Sequence, residues 1–298
     1  MAACSKEAPA GEREAGAPIA NAAEPAPLRL YLPDASPALP FADAAPIVRE
    51  AVPNGRCPAG MVDVAGRFCI DRYEVVLRDR AGRRISPYYH PTRGQSERSY
   101  EAWRGRARPG EPDVVAPPEW QRREAFDVVA ESLPGQVPNG YLSGDIAARA
   151  CEAAGKRLCT ADEWVFACRG QTSTPFPYGA DYARGRCNVF RSTHPAAVLH
   201  GNPSLNHLDP RLNLVSDAEG ALLRKTGQSA ACASRWGSDA AYDLVGNLDE
   251  WVDDADGMFV GGFYARATRD GCAAAVTTHP RNYFDYSLGT RCCSGHRR

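Results

Sequence analysis

Cysteine is the residue type with the most to say about chemistry in this chain, with eleven copies among 298 residues. No Cys-x-x-Cys pair occurs, so neither a zinc knuckle nor a thioredoxin-like site is indicated. The thiols are then either buried and free or joined as disulfides, and their number favours disulfides formed in an oxidising compartment. Cys4 stands apart. It follows Met1-Ala2-Ala3, as an acylated lipoprotein cysteine follows small residues, although the basic and apolar parts of such a leader do not precede it. The expectation is a lipid anchor at Cys4 on a bacterial periplasmic or cell-surface lipoprotein, or a secreted protein. A chance Ala-Ala-Cys in a cytosolic chain is the alternative. Ten cysteines remain, enough for five bridges.

The other reactive groups are weaker signals. His90, His194, His200, His207, His279 and His296 show no i, i+4 pair that would set two ligands on one helix face. There is no Gly-x-Ser-x-Gly nucleophile elbow. Asp249, Glu250, Asp253, Asp254 and Asp256 are dense enough to hide a general acid/base pair, but a solvated acidic face is the expected reading. His279 precedes Tyr283, Phe284 and Tyr286; it is either a proton shuttle, given its near-neutral reference pKa, or a stacked surface ring.

The elements that must position these groups are short. With 27 Gly and 24 Pro the domain is expected to be loop-rich. The net charge of −1 argues against a nucleic-acid partner, and no apolar run approaches bilayer-spanning length. Residues 1–50 read as a leader and a disordered Ala/Pro/Glu tether, with Leu28–Leu32 as a short docking strand. The folded domain is expected over 51–298, opening with two strands around a Gly66 turn. Residues 88–137 read as a surface insertion partly ordered by Trp103 and Trp120. Ser143 caps a predicted helix to about Ala154, with Ile146, Ala150 and Ala154 on one face and Gly155 past its end. Thr160-Ala-Asp-Glu163 is a capping box opening a second helix whose Trp164, Phe166 and Ala167 face inward. Residues 171–235 read as loop.

Three stretches carry a family resemblance. Gly155-Lys-Arg-Leu158, Thr160-x-x-Glu163-Trp164 and Arg169-Gly170 lie in one. Tyr242-Asp-Leu-Val-Gly-Asn-Leu-Asp-Glu-Trp251 is the second, and Gly261-Gly262 through Leu288-Gly-Thr-Arg-Cys292 the third. In order and spacing they resemble the formylglycine-generating enzyme / sulfatase-modifying-factor family over residues 55–298. The resemblance implies an α+β fold related to C-type lectins and low in regular secondary structure. Trp251, Phe263 and Tyr264 become core aromatics, and His279 falls near the family's substrate groove. It also implies calcium at Asp243 and Glu250 side chains with the Gly246 and Leu248 carbonyls, since calcium takes six to eight oxygens in flexible geometry; a capped turn with surface carboxylates is the alternative. A second calcium site would begin at Asn188 and the Val189 carbonyl. Implied bridges are Cys151–Cys292 and Cys168–Cys272. Cys57 and Cys69 flank the first hairpin and are expected to pair, Cys159–Cys293 runs parallel to Cys151–Cys292, and Cys187–Cys232 is what remains.

The departures bear on function. Formylglycine-forming members hold copper between two cysteines soon after Gly-Gly-Ser-Trp, whereas Gly261–Gly271 contains none. Soft Cu(I) needs thiolates, so no copper and no formylglycine formation are expected. A related branch uses iron held by three histidines, which this sequence does not space for. Another branch, which includes a pyoverdine-maturation enzyme, works without the copper pair. The expectation is a secreted module binding a peptide or small-molecule ligand; the alternative is an oxidoreductase carrying out another oxidative modification.

Overall fold

The computed structural model describes residues 56–266 and 269–296, so the leader, the tether, the Leu28–Leu32 strand and Cys4 lie outside it. β1 (Met61–Val64) and β2 (Phe68–Asp71) form the hairpin expected around Gly66, with Met61 opposite Asp71 and Val64 opposite Phe68. β3 (Val75–Arg78) follows, then α1 (Arg93–Trp103), α2 (Glu119–Arg123) and β4 (Val129–Ser132). Next come α3 (Gly144–Ala153), β5 (Arg157–Leu158), α4 (Ala161–Arg169) and α5 (Pro195–His200). β6 (Ser216–Asp217), β7 (Gly220–Ala221), β8 (Ala233–Trp236) and β9 (Asp239–Tyr242) make two small hairpins. The chain closes with β10 (Asp249–Trp251), β11 (Phe259–Val260), β12 (Ala275–Val276), β13 (Leu288–Thr290) and β14 (Cys292–Ser294). No described helix is long and apolar enough to cross a membrane.

Two four-stranded sheets organise the domain, in the orders β1-β2-β14-β5 and β12-β11-β10-β13. Their last strands are separated by one residue. β13 joins one sheet beside β10 in parallel, β14 joins the other between β2 and β5, and Arg291 is the hinge between them. A single polar residue at a crossing of two sheets is surrounded by backbone on every side, and Arg291 is fully buried.

Both predicted helices form where their caps place them. The Ser143 hydroxyl accepts the Ile146 N–H at 3.3 Å, and Ile146, Ala147 and Ala150 pack with Trp251 and Leu288 in one core cluster. Thr160 and Glu163 satisfy each other's backbone N–H at 3.2 and 3.0 Å. Thr160→Ala is therefore expected to lower stability by about 1 kcal/mol in chemical denaturation. Trp164 and Ala167 are buried in a second cluster with Val62, Ile70 and Leu244. Phe166 departs from expectation: it is half-buried at the rim of that cluster, under the Arg67 guanidinium at 4.9 Å. Its ring shields the edge of the core instead of filling its centre.

The 88–137 segment is more than a surface insertion. Its β4 pairs with β3 from Val75 opposite Ser132 to Arg78 opposite Val129. Tyr89, Ser96 and Gln121 are fully buried. The Gln121 amide accepts from Ser86 N–H at 2.8 Å and donates to Ser96 Oγ at 3.1 Å, so one buried side chain ties α2 to α1 and to the loop between β3 and α1. A buried amide with both ends bonded orders a segment that composition alone marks as polar.

All ten cysteines of the domain are bonded, as Cys57–Cys69, Cys151–Cys292, Cys159–Cys293, Cys168–Cys272 and Cys187–Cys232. Cα separations run from 4.7 to 5.6 Å, inside the range a bridge requires.

Candidate functional site

The turn from Asp243 to Trp251 builds the centre of the molecule. Asp243 and Asn247 sit at φ +58° and +63°, conformations that Asp and Asn tolerate better than most residues. Gly246 sits at φ +83°, and a Cβ there would lie 2.2 Å from the Asn188 carbonyl oxygen, so only glycine fits. Asn247 is a buried hub. Its Oδ1 accepts from Asn188 Nδ2 and the Arg224 N–H, both at 2.9 Å, and its Nδ2 donates to Glu74 Oε2 at 2.6 Å. The other Glu74 oxygen accepts the Leu248 N–H at 3.1 Å.

Glu250 points to the same centre. Arg291 Nε lies 2.7 Å from Oε2 and Nη2 lies 2.7 Å from Oε1, while Trp164 Nε1 donates to Oε2 at 2.6 Å. Arg291 also donates to the Tyr242 and Asp71 carbonyls, at 2.8 and 3.2 Å. Glu74, Asp243 and Glu250 are all buried around this guanidinium. Burial lifts the Asp243 carboxyl to about 7, against the pull of the Gly227 N–H and Arg291. Burial also raises Glu74 well above the usual carboxylate range, and the neighbouring Asp243 and Glu250 raise it further.

The side chains expected to hold calcium are engaged by protein donors. Both Glu250 oxygens are filled by N–H donors, and the cation beside them is Arg291. Asp243 Oδ2 accepts the Gly227 N–H at 2.6 Å. Asn188 donates to the Leu222 carbonyl and to Asn247, and accepts from Arg191 Nη1 at 3.2 Å. Its own carbonyl accepts the Asn247 N–H at 2.8 Å. Asp243, Glu250 and Asn188 thus have protein hydrogen-bond partners, while Gly246, Leu248 and Val189 would offer backbone carbonyls to the calcium sites that the resemblance implies. The solvated acidic face is corrected: Asp249 and Glu250 are buried and ion-paired, and of the five carboxylates Asp253 and Asp256 are the exposed ones. His296 lies beside Cys57 and Cys69, but those sulfurs are bonded to each other and leave one nitrogen ligand.

The segment after Gly261-Gly262 is the second part of the site. Gly261 sits at φ +90° with the Leu244 carbonyl 2.6 Å from where a Cβ would be, so the double glycine presses this strand exit onto the central turn. Tyr264 is buried and donates to Asn213 Oδ1 at 2.9 Å. Phe263, expected in the core, is half-buried instead, facing the His194 ring at 6.1 Å and the Tyr286 ring at 5.7 Å. Arg266 reaches back over Phe263 at 5.4 Å and bonds Asp249 Oδ2 at 2.5 Å. Burial lifts Asp249 to about 7, with Arg266 opposing.

Groups from four loops converge here. Tyr286 Oη lies 3.2 Å from His194 Nε2, and His207 Nδ1 lies 3.9 Å from Asp285 Oδ2. Tyr283 donates to Asp285 Oδ2 at 2.7 Å. Burial, then the neighbouring His207, lowers the His194 pKa. Two nitrogens beside Phe263, His194 Nδ1 and Arg266 Nε, are buried without a hydrogen-bond partner among the described residues. Buried polar atoms are rarely left so. His279 stacks between Phe259 at 5.7 Å and Tyr283 at 4.0 Å, the stacked-ring alternative of the two readings. His90 packs on Phe284 at 4.1 Å, and burial lowers its pKa to about 4 with help from Arg149. His200 lies 3.0 Å from Asp209.

Sequence reasoning placed Glu250, Asp243 and Phe263 in this region and missed Glu74, Arg291, Asn247, Arg266, His194, His207 and Asp285. The signals were present for two of them: Asn247 stands inside Gly-Asn-x-x-Glu-Trp, and Arg291 inside Gly-Thr-Arg-Cys.

Comparison with known proteins finds relatives in sequence and in fold. A relative from Bos taurus, "Inactive C-alpha-formylglycine-generating enzyme 2", is 29% identical over 178 residues, covering 54% of this chain and 51% of the relative. The chain therefore spans about half the length of that curated relative. Among solved structures, the Major Tropism Determinant U1 variant is 14% identical with a TM-score of 0.42, covering 80% of this chain and 53% of that one. PvdO from Pseudomonas aeruginosa is 15% identical with a TM-score of 0.35, covering 76% and 80%. The model of the sulfatase-modifying factor enzyme 1-like domain matches residues 47–292, and the chain belongs to that family.

Proposed function

We propose that this domain binds a peptide or small polar ligand at the Phe263–Arg266 face and does not form formylglycine. The observation that carries the reading is the fate of the thiols. The segment after the double glycine presents Arg266 paired with Asp249, and every cysteine of the domain is in a disulfide. Copper-dependent thiol oxidation needs thiolate ligands, and the bonded sulfurs have none to give. The half-buried Phe263 ring and the partly exposed Arg266 guanidinium beside it offer an apolar surface and a cationic donor to a carbonyl or carboxylate group. The relative named an inactive formylglycine-generating enzyme points the same way. Five disulfides in one domain suit an oxidising, extracytoplasmic setting.

The test is direct. Purified protein is incubated aerobically, with and without copper, with a sulfatase-type peptide carrying the target cysteine. The expected mass spectrum shows unmodified peptide only. Conversion of that cysteine to the aldehyde would overturn the reading.

A further inference from the structure

A second polar feature lies on the 88–137 segment, away in sequence from the central turn. α1 and α2 pack together, and their outer faces enclose an open groove of about 430 Å³ lined by Arg93, Gly94, Glu97, Arg98, Arg122 and Arg123. Four guanidinium groups face one carboxylate, in a chain whose net charge is −1.

The local pairing leaves half of that charge, on Arg93 and Arg98, available. Arg122 Nη1 lies 3.4 Å from Glu97, and its Nε is buried without a hydrogen-bond partner. Tyr100 supports the Arg122 guanidinium from below at 5.0 Å. Arg123 has Glu119 at 3.1 Å, outside the groove. Among the described residues Arg98 bonds a neutral acceptor, Gln95 Oε1 at 3.1 Å, and its guanidinium lies back over Gly94, whose missing side chain makes that approach possible. Arg93 is exposed and has no carboxylate within ion-pair distance among the described residues.

The start of α1 adds to this field. The Thr92 hydroxyl does not cap the helix, and no acidic residue occupies the first turn. The backbone donors there keep their partial positive charge, on the same side as Arg93 and Gly94.

We propose that this groove binds a tetrahedral oxyanion group, the phosphate or sulfate ester of a small ligand. Guanidinium groups offer paired N–H donors that match the oxygens of such an anion, and several around one site exceed what a single carboxylate would engage. A carboxylate ligand would use two of these groups and leave the rest facing each other.

The experiment is calorimetric titration of the full chain at pH 7.5. Inorganic phosphate, inorganic sulfate and acetate are the probes, at ionic strength held constant with chloride. O-phosphoserine and N-acetylglucosamine 6-sulfate follow, to separate a phosphorylated from a sulfated source. The expected result is saturable one-to-one binding of phosphate or sulfate, with the matching ester binding and acetate not. Arg93→Gln/Arg98→Gln should weaken it roughly tenfold or more, while Arg80→Gln, on another exposed ion pair, should leave it unchanged. Both groove arginines are exposed, so an unchanged melting temperature shows that the double variant is folded. Absence of saturation by both anions, equal binding of acetate, or equal loss in Arg80→Gln would overturn the proposal. None of these outcomes touches the formylglycine test, which reads a different chemistry.

Discussion

Replacing Arg291 by leucine is expected to cost about 3–5 kcal/mol of folding stability, the range for removing one partner of a buried ion pair. Arg291 and Glu250 are at most 1% exposed, so water cannot compensate the carboxylate left behind. The loss extends past the pair. Glu74 and Asp243 lose the cation that moderates their burial, and the Tyr242 and Asp71 carbonyls lose their donors. The pH dependence has a definite sign. Asp243 and Glu74 are raised by folding, so their contribution is fully present below the unfolded carboxylate value near 4 and is lost as pH climbs, for Asp243 through about 7. The Arg291→Leu deficit should therefore be larger at pH 7 than at pH 4, where these carboxyls are neutral in the native state. Urea denaturation at both pH values checks this. Should the single variant be too unstable to purify, Arg291→Leu/Glu250→Leu removes both charges and should recover part of the loss. A deficit independent of pH would mean that the arginine acts through packing alone.

That dependence was not legible in the sequence, for a physical reason. A run of five carboxylates near a glycine turn is normally solvated, since acidic groups are seldom buried unless paired. Pairing partners 17 and 41 residues away along the chain leave no local pattern. The same holds for His194 and Tyr286, which meet across 92 residues. What local chemistry determines was readable. The Ser143 cap, the Thr160–Glu163 box and the Gly66 hairpin each depend on residues within a few positions of one another. The family motifs carried the long-range framework, because Gly-Thr-Arg-Cys marks the point where the tail enters both sheets. Phe166 and Phe263 went to the core in the sequence reading because large aromatics usually do, yet each lies at an edge where an arginine covers its ring. The order of the 88–137 segment rests on Gln121, a residue whose burial no periodicity announces.

The disulfides yield the largest expected effect, and it is not additive. Cys151–Cys292 and Cys159–Cys293 span 141 and 134 residues. Taken alone, each closes a loop worth roughly 5 kcal/mol in the chain-entropy model. They are not alone, since their ends are eight residues apart on one side and adjacent on the other. With one bridge intact, the other closes only a small extra loop of about ten residues, worth about 2.5 kcal/mol on the same model. Removing either pair by Cys→Ala substitution should thus cost about 2–3 kcal/mol. Because Cys168–Cys272 stays in place, the last of the two bridges to go closes a ring of about thirty residues, and removing both should cost about 6 kcal/mol, above the sum of the two single losses. Total stabilities of domains run about 5–15 kcal/mol, so the four-cysteine variant should melt far below both two-cysteine variants, each of which stays folded at 37 °C. Guanidinium denaturation of the wild type, both single-bridge variants and the double variant forms the cycle. The two bridges fix the residues on either side of Arg291 to α3 and to the link before α4, so the double variant should also hold the buried ion pair less tightly at neutral pH. Strict additivity of the two losses would show that each bridge acts through native packing around its own sulfurs, not through the shared loop.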